Sequence, residues 1–284
     1  MAEKITALVD ASLYAASVCE HAAWISQRTG APVQLLHVMG RRQGAAPQDL
    51  SGSIRLGART RLLEELAELD ARRARISNEH GRAILDDARA LTEAAGATDV
   101  TTRLMHGDLI DTVADLQSET RVVLIGKRGE AADFAKGHLG SNLERVARIS
   151  HKPVLVASRA FRPVSKVLIA FDGGASAQKA VDYMATSPLY RDLSLELAMV
   201  GGPDPERQRK IDAAATTLRD AGLDASSRRV EGQPEAALAQ LVEEEGFDML
   251  VMGAYGHSRI RSLMIGSTTT QMIQSCKVPL LLFR

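Results

Sequence analysis

The sequence predicts an α/β protein made of two tandem, doubly wound parallel sheets of five strands each, with helices on both faces. Three observations predict it. A phrase repeats: Ile5-Thr6-Ala7-Leu8-Val9-Asp10 and Val167-Leu168-Ile169-Ala170-Phe171-Asp172 are apolar runs closing on aspartates 162 positions apart. Later landmarks also recur, Gly126 with Gly253 at 127 positions, and Gly140 with Gly266 and Pro153 with Pro279 at 126. Finally, VVLIG, DMLVMG, KPVLVA and VPLLLF are nearly continuous apolar runs, the pattern of parallel strands covered on both faces. Self-similarity at this spacing marks a repeated unit. Alternating strands and helices within each copy imply right-handed crossovers. The expected modules are residues 1–158 and 165–284, joined through Ser158 to Ser165, which contains Arg162-Pro163.

The elements follow in order. In the first copy the opening run is strand one and Val33 to Met39 strand two. The difference between the early and late offsets leaves about 36 extra residues in segment 40–96. That segment opens as a Gly/Arg/Gln-rich loop. It continues with an Ala/Leu/Glu/Arg composition that predicts helix, either one or two with a break near Gly81. Then come strand Val100 to Met105, helix Asp108 to Glu119, strand Arg121 to Ile125, helix Asn142 to Ile149 and strand Val154 to Ala157. The second copy gives strand Leu195 to Gly201 and a short segment Pro203 to Gly222. Its later elements are Ser226 to Val230, Pro234 to Gly246, Met249 to Met252, Thr268 to Ser275 and Val278 to Phe283.

Composition narrows the function. The 35 basic and 35 acidic residues cancel, whereas gripping a nucleic acid backbone usually demands a basic excess, so no nucleic acid partner is expected. No apolar run reaches the roughly 18 residues of a membrane helix, and the N-terminus lacks a leader's charged-then-apolar layout. A cytoplasmic protein without a membrane partner is expected. Cys19 and Cys276 stand alone without metal-type spacing and read as buried thiols, and no metal site is expected.

In open α/β sheets ligands sit beyond the carboxyl ends of the strands, at the switch in strand order. The glycines fall there. Gly253 and Gly256 leave the fourth strand of the second copy, nine residues follow, and Gly266-Ser267-Thr268 opens the next helix. Glycine lets backbone approach an anion closely, and a helix start offers unpaired N–H groups to phosphate oxygens. His257, Arg259 and Arg261 add positive charge to this loop. Read blandly, the same residues are a turn and a cap. The first copy carries Gly126, Gly129, Gly140, Ser141 and Asn142, but ten residues separate Gly129 from Gly140. Glu130 and Asp133 bring negative charge there, offset in part by Lys127, Arg128 and Lys136.

The spacing G-2x-G-9x-G-S/T after a fourth strand, the early aspartate and the closing Pro-led strand resemble the universal stress protein family, as two modules across essentially the whole chain. The resemblance implies a Rossmann-like, adenine nucleotide alpha hydrolase-like fold and a stress-response regulator that binds ATP, ADP or AMP, with or without Mg. It assigns nucleotide contacts to Asp172, Val200, Gly253, Gly256, Gly266, Ser267 and Thr268, and less completely to Asp10, Val38, Gly126, Gly129, Gly140, Ser141 and Asn142. The second half is the favoured seat. The resemblance also implies pairing of the last strands of the two modules within the chain, an internal imitation of a dimer, with a further homodimer open. An unidentified protein partner is expected.

Two other functions stay open: a slow ATPase or autophosphorylating enzyme, and a nucleotide-free interaction scaffold. Phosphoryl transfer needs a committed base, and none stands out among Asp172, Ser267 and Arg259. No G-x-S-x-G elbow, Walker A loop or G-x-G-x-x-G fingerprint occurs. His106 with Asp108 after the third strand could also meet a ligand, and His37 reads as structural.

Overall fold

In the computed structural model, residues 3–40, 56–129, 141–254 and 266–284 are described, with the side chains of 56–62 and Ser141 outside that description. The first half runs β1 (Lys4–Leu8), α1 (Ala15–Thr29), β2 (Val33–Met39), α2 (Leu56–Ala94), β3 (Val100–His106), α3 (Leu109–Leu116), β4 (Thr120–Gly126), α4 (Ser141–Ile149) and β5 (Val154–Ala157). The second runs β6 (Lys166–Ala170), α5 (Ala175–Thr186), β7 (Ser194–Val200), α6 (Pro205–Asp220), β8 (Asp224–Val230), α7 (Pro234–Glu244), β9 (Met249–Gly253), α8 (Ser267–Ser275) and β10 (Leu280–Phe283). The expected elements are present, with ends shifted by a residue or two, except that α3 stops at Leu116 and a 3-10 turn, Gln117–Glu119, replaces the last three residues of the helix expected to reach Glu119.

Local chemistry sets several boundaries. Gly30 ends α1 in the left-handed region at φ 68°, its N–H donating to the Ser26 carbonyl at 2.7 Å. Asp108 and Asp204 cap α3 and α6 by accepting backbone N–H groups, and Pro205 follows in the first helical position, where no N–H is needed.

The strand order is β3-β2-β1-β4-β5-β10-β9-β6-β7-β8, so the two five-stranded sheets join as one of ten. All pairings are parallel except the seam, where β10 runs antiparallel to β5 with Leu281 opposite Leu155. The expected pairing of last strands thus occurs within the chain. A buried cluster on one face packs α1, α2, α5 and α6, and one on the other packs α3, α4, α7 and α8. Each cluster draws residues from both halves. Strands β5 and β10 are buried throughout, as their unbroken apolar sequences require.

The break considered near Gly81 does not occur: α2 is one helix of 39 residues. Gly81 serves packing instead. A Cβ there would lie 2.8 Å from Leu104 Cδ1 and 3.2 Å from His37 Cδ2, so the missing side chain lets α2 press onto β2 and β3. That close approach offsets the roughly 1 kcal/mol that glycine costs a helix. The C-terminal part of α2 is anchored through Leu85, Ala88 and Thr92, whereas residues 63–76 are exposed.

Candidate functional site

Strand order reverses between β1 and β4, and the carboxyl ends of these strands open a cleft in the first half. Asp10 leaves β1 in a tight turn, its Oδ1 accepting the Ser12 N–H at 3.1 Å, and the Ser12 hydroxyl accepts the Tyr14 N–H at 3.3 Å. This turn swings the chain into α1. The start of α1 can reach β4 because Gly126 has no side chain: a Cβ would lie 2.6 Å from Tyr14 Cβ. A Cβ on Gly129 would lie 3.0 Å from Asp10 Oδ2, so the segment after β4 folds directly over the aspartate. His37, on β2, holds the floor, its Nδ1 donating to the Val9 carbonyl at 2.8 Å, and so has the structural role expected of it. Asn142 and Leu143 close the cleft from α4.

Five first-half candidates, Asp10, Val38, Gly126, Gly129 and Asn142, therefore line one cleft. Ser141 opens α4 beside them, and Gly140 lies outside the described residues. Sequence reasoning missed Tyr14, whose signal was available: it sits two residues after the turn serine, where the helix must begin.

The second half repeats the frame. Asp172 Oδ1 accepts the Gly174 N–H at 2.8 Å, Val200 ends β7 half-buried, and a Cβ on Gly253 would lie 3.0 Å from Ser176 Cβ. Gly266 caps α8 at φ −60° and ψ 149°, and its N–H donates to the Ala254 carbonyl at 3.2 Å. Ser267 is exposed at the helix start. The Thr268 hydroxyl donates to Glu235 Oε1 at 2.7 Å, and that of Thr269 to the Gly253 carbonyl at 3.3 Å. Glu235 is a carboxylate that sequence reasoning did not bring here. It comes from the first turn of α7, which only the fold places beside α8. Gly256, His257, Arg259 and Arg261 lie outside the described residues.

His106 and Asp108 do not line the cleft. Asp108 is a cap: its Oδ1 accepts the Ile110 N–H at 2.7 Å, and Arg145 reaches Oδ2 at 3.2 Å. The Ile110 N–H foremost, with Arg145 and the Asp111 N–H, holds its carboxyl below the usual range. Lys127, at the cleft rim, crosses to the second half and donates to the Cys276 carbonyl. Burial, and then the charge of Arg128, push its ammonium below the ordinary lysine value. Both cysteines are free and buried, and burial pushes both thiols up. Among the described residues no group of three potential ligands could hold a metal ion, and no helix is long and apolar enough to cross a membrane.

Comparison with known proteins adds to this geometry. The sequence model of the universal stress protein family matches residues 1–158 and 186–284. A universal stress protein of Synechocystis is 37% identical over 286 residues, covering 99% of this chain and 100% of that protein. A solved universal stress protein from Archaeoglobus fulgidus superposes with TM-score 0.68 at 20% identity, covering 99% of this chain and 97% of the other. One from Pseudomonas aeruginosa gives TM-score 0.60 at 16% identity, covering 98% and 92%. These two show the shared fold.

Proposed function

Because this chain belongs to the universal stress protein family, we propose that it is a stress-response regulator binding ATP, or ADP or AMP, at the carboxyl edge of its sheet. The convergence of Asp10, Val38, Gly126, Gly129 and Asn142 from separate segments on one cleft carries this reading. The cleft offers an apolar wall in Val38, a carboxylate in Asp10 and cationic side chains in Lys127 and Arg128, a donor set suited to base, ribose and phosphate.

The second half repeats the frame through Asp172, Val200 and Gly253, with the loop spacing that favours phosphate. At Gly266 a Cβ would meet, among the described residues, only ordinary contacts, 3.7 Å from Thr269 Oγ1 and 3.8 Å from the Ala254 oxygen. With φ of −60° neither the backbone nor the described neighbours demand glycine there, which supports a ligand as the reason for it. The Thr268 hydroxyl, held by Glu235, would have to turn to serve a phosphate, so Ser267 and the first amides of α8 are the donors assigned here. Bound nucleotide would shift the population of a surface competent for a protein partner.

Calorimetry with ATP tests this. The wild-type chain is expected to take up nucleotide in both halves, Gly266→Val to lose the second-half site, and Asp10→Ala with Gly266→Val to lose both. Unchanged stoichiometry and affinity in the double variant would overturn the assignment.

A further inference from the structure

A second groove lies where the two halves meet. Lys127 and Arg128 enter it from the end of β4, Arg159 from the segment joining the halves, and Lys277 from the end of α8. Its cavity is about 290 Å³, near the roughly 300 Å³ at which small-ligand pockets begin. It runs on from the first-half cleft, because Tyr14, Lys127 and Arg128 line both. None of the described residues lining it is acidic. Glu243 pairs with Lys277 at 2.7 Å, and Lys127 donates to the Cys276 carbonyl. Lys127 and Arg128 stand side by side on partly buried ground, where an anion between them would be favoured.

The repeat supplies a control inside the molecule. At the positions of Lys127 and Arg128 the second copy has Ala254 and Tyr255, and at the position of Lys277 the first copy has His151. Both copies build the same strand ends, so the fold does not require these cations. The cations of this groove come from both halves and from the segment between them.

We propose that this junction groove binds a chain of phosphoryl groups. Two sources fit: free inorganic polyphosphate, or the phosphate tail of a nucleotide seated in the first-half cleft, the latter alone resting on the nucleotide reading above. Several cations in a partly enclosed groove give charge-assisted hydrogen bonds to successive phosphate oxygens, and no carboxylate among the described lining residues opposes them.

Calorimetry on the full chain with inorganic tripolyphosphate, ATP and adenosine tests the proposal. The variant is Arg128→Ala with Arg159→Ala and Lys277→Ala, which spares Lys127 and its bond to Cys276. Tripolyphosphate is expected to bind the wild type and to bind the variant at least about tenfold more weakly. Arg159→Lys with Lys277→Arg, which keeps the charge, should retain binding and so separate lost charge from lost fold. The sources are separated by Arg159→Ala with Lys277→Ala, which leaves the first-half cleft intact: if the source is a nucleotide tail, ATP loses affinity in this double variant while adenosine does not, and if it is free polyphosphate, ATP binds the double variant and the wild type alike. No tripolyphosphate binding to the wild type, or equal binding to wild type and triple variant, would overturn the groove. Absence of ATP and adenosine binding would remove the nucleotide reading and leave the tripolyphosphate comparison decisive.

Discussion

His21 on α1 is fully buried and donates from Nδ1 to the Ser17 carbonyl at 2.7 Å, which places its proton on Nδ1. Its Nε2 has no hydrogen-bond partner among the described residues, and the edge-on ring of Phe161 stands 4.9 Å away between centroids. Burial lowers its pKa from 6.5 to about 4. A base with a depressed folded pKa favours the native state while neutral. Its contribution is therefore complete above pH 6.5 and is lost as pH falls through about 4. The drop is about 3 kcal/mol. Urea titrations of the wild type and His21→Leu across that window should give a shallower stability slope for the variant; parallel slopes would refute it. Sequence alone could not reveal this, because a lone histidine on an apolar face has no distinguishing pattern. The same scale shows what was legible. Asp10 and Asp172 stood out as the ends of matching runs and do begin matching turns. Gly126 and Gly253 read as ligand contacts, yet each also admits a helix start against a strand end, at Tyr14 and Ser176. Spacing in sequence records that a side chain is missing and not which neighbour required its absence.

Helix α2 divides into an anchored part and an outlying one. Leu85 is 4% exposed, whereas Leu66 is 43% and Leu69 50% exposed. Core truncation forfeits burial and leaves a cavity, so Leu85→Ala is expected to cost about 2–5 kcal/mol. Leu66→Ala and Leu69→Ala should each fall within about 0.5 kcal/mol of the wild type in chemical denaturation. A larger loss at Leu66 or Leu69 would mean that this stretch is covered in solution. Composition made the helix legible, but not its continuity. Glycine is the weakest ordinary helix former, and only the approach of Leu104 and His37 explains its place in mid-helix. Strands were read more securely than helix ends, because apolar runs are set by burial on two faces, while caps depend on single side chains such as Asp108 and Asp204.

Across the whole molecule, the repeat was legible from paired landmarks, and each copy folds into the expected succession of strands and helices. What sequence leaves out is how the copies share material. Both buried clusters include residues from each half, and Phe161 in the joining segment packs against His21 and Trp24 of α1. Arg28 also donates to the Leu189 carbonyl at 2.7 Å, tying α1 to the second half. One cooperative unfolding transition is therefore expected by calorimetry. Leu281, 2% exposed and opposite Leu155, is the point to probe. Leu281→Asp would bury an unpaired charge and should cost more than about 4 kcal/mol. Two separate transitions in the wild type would show that the halves melt independently.

The position of β10 bears on how the chain is made. Its four residues are synthesised after the other nine strands of the sheet, yet they occupy its middle, sixth of ten strands. Throughout translation of the second half, β5 presents a bare, apolar border awaiting its neighbour. Such a border invites exchange between nascent chains on one polysome. The shorter the interval between the synthesis of β5 and that of β10, the less time that border has to take a strand from a sister chain.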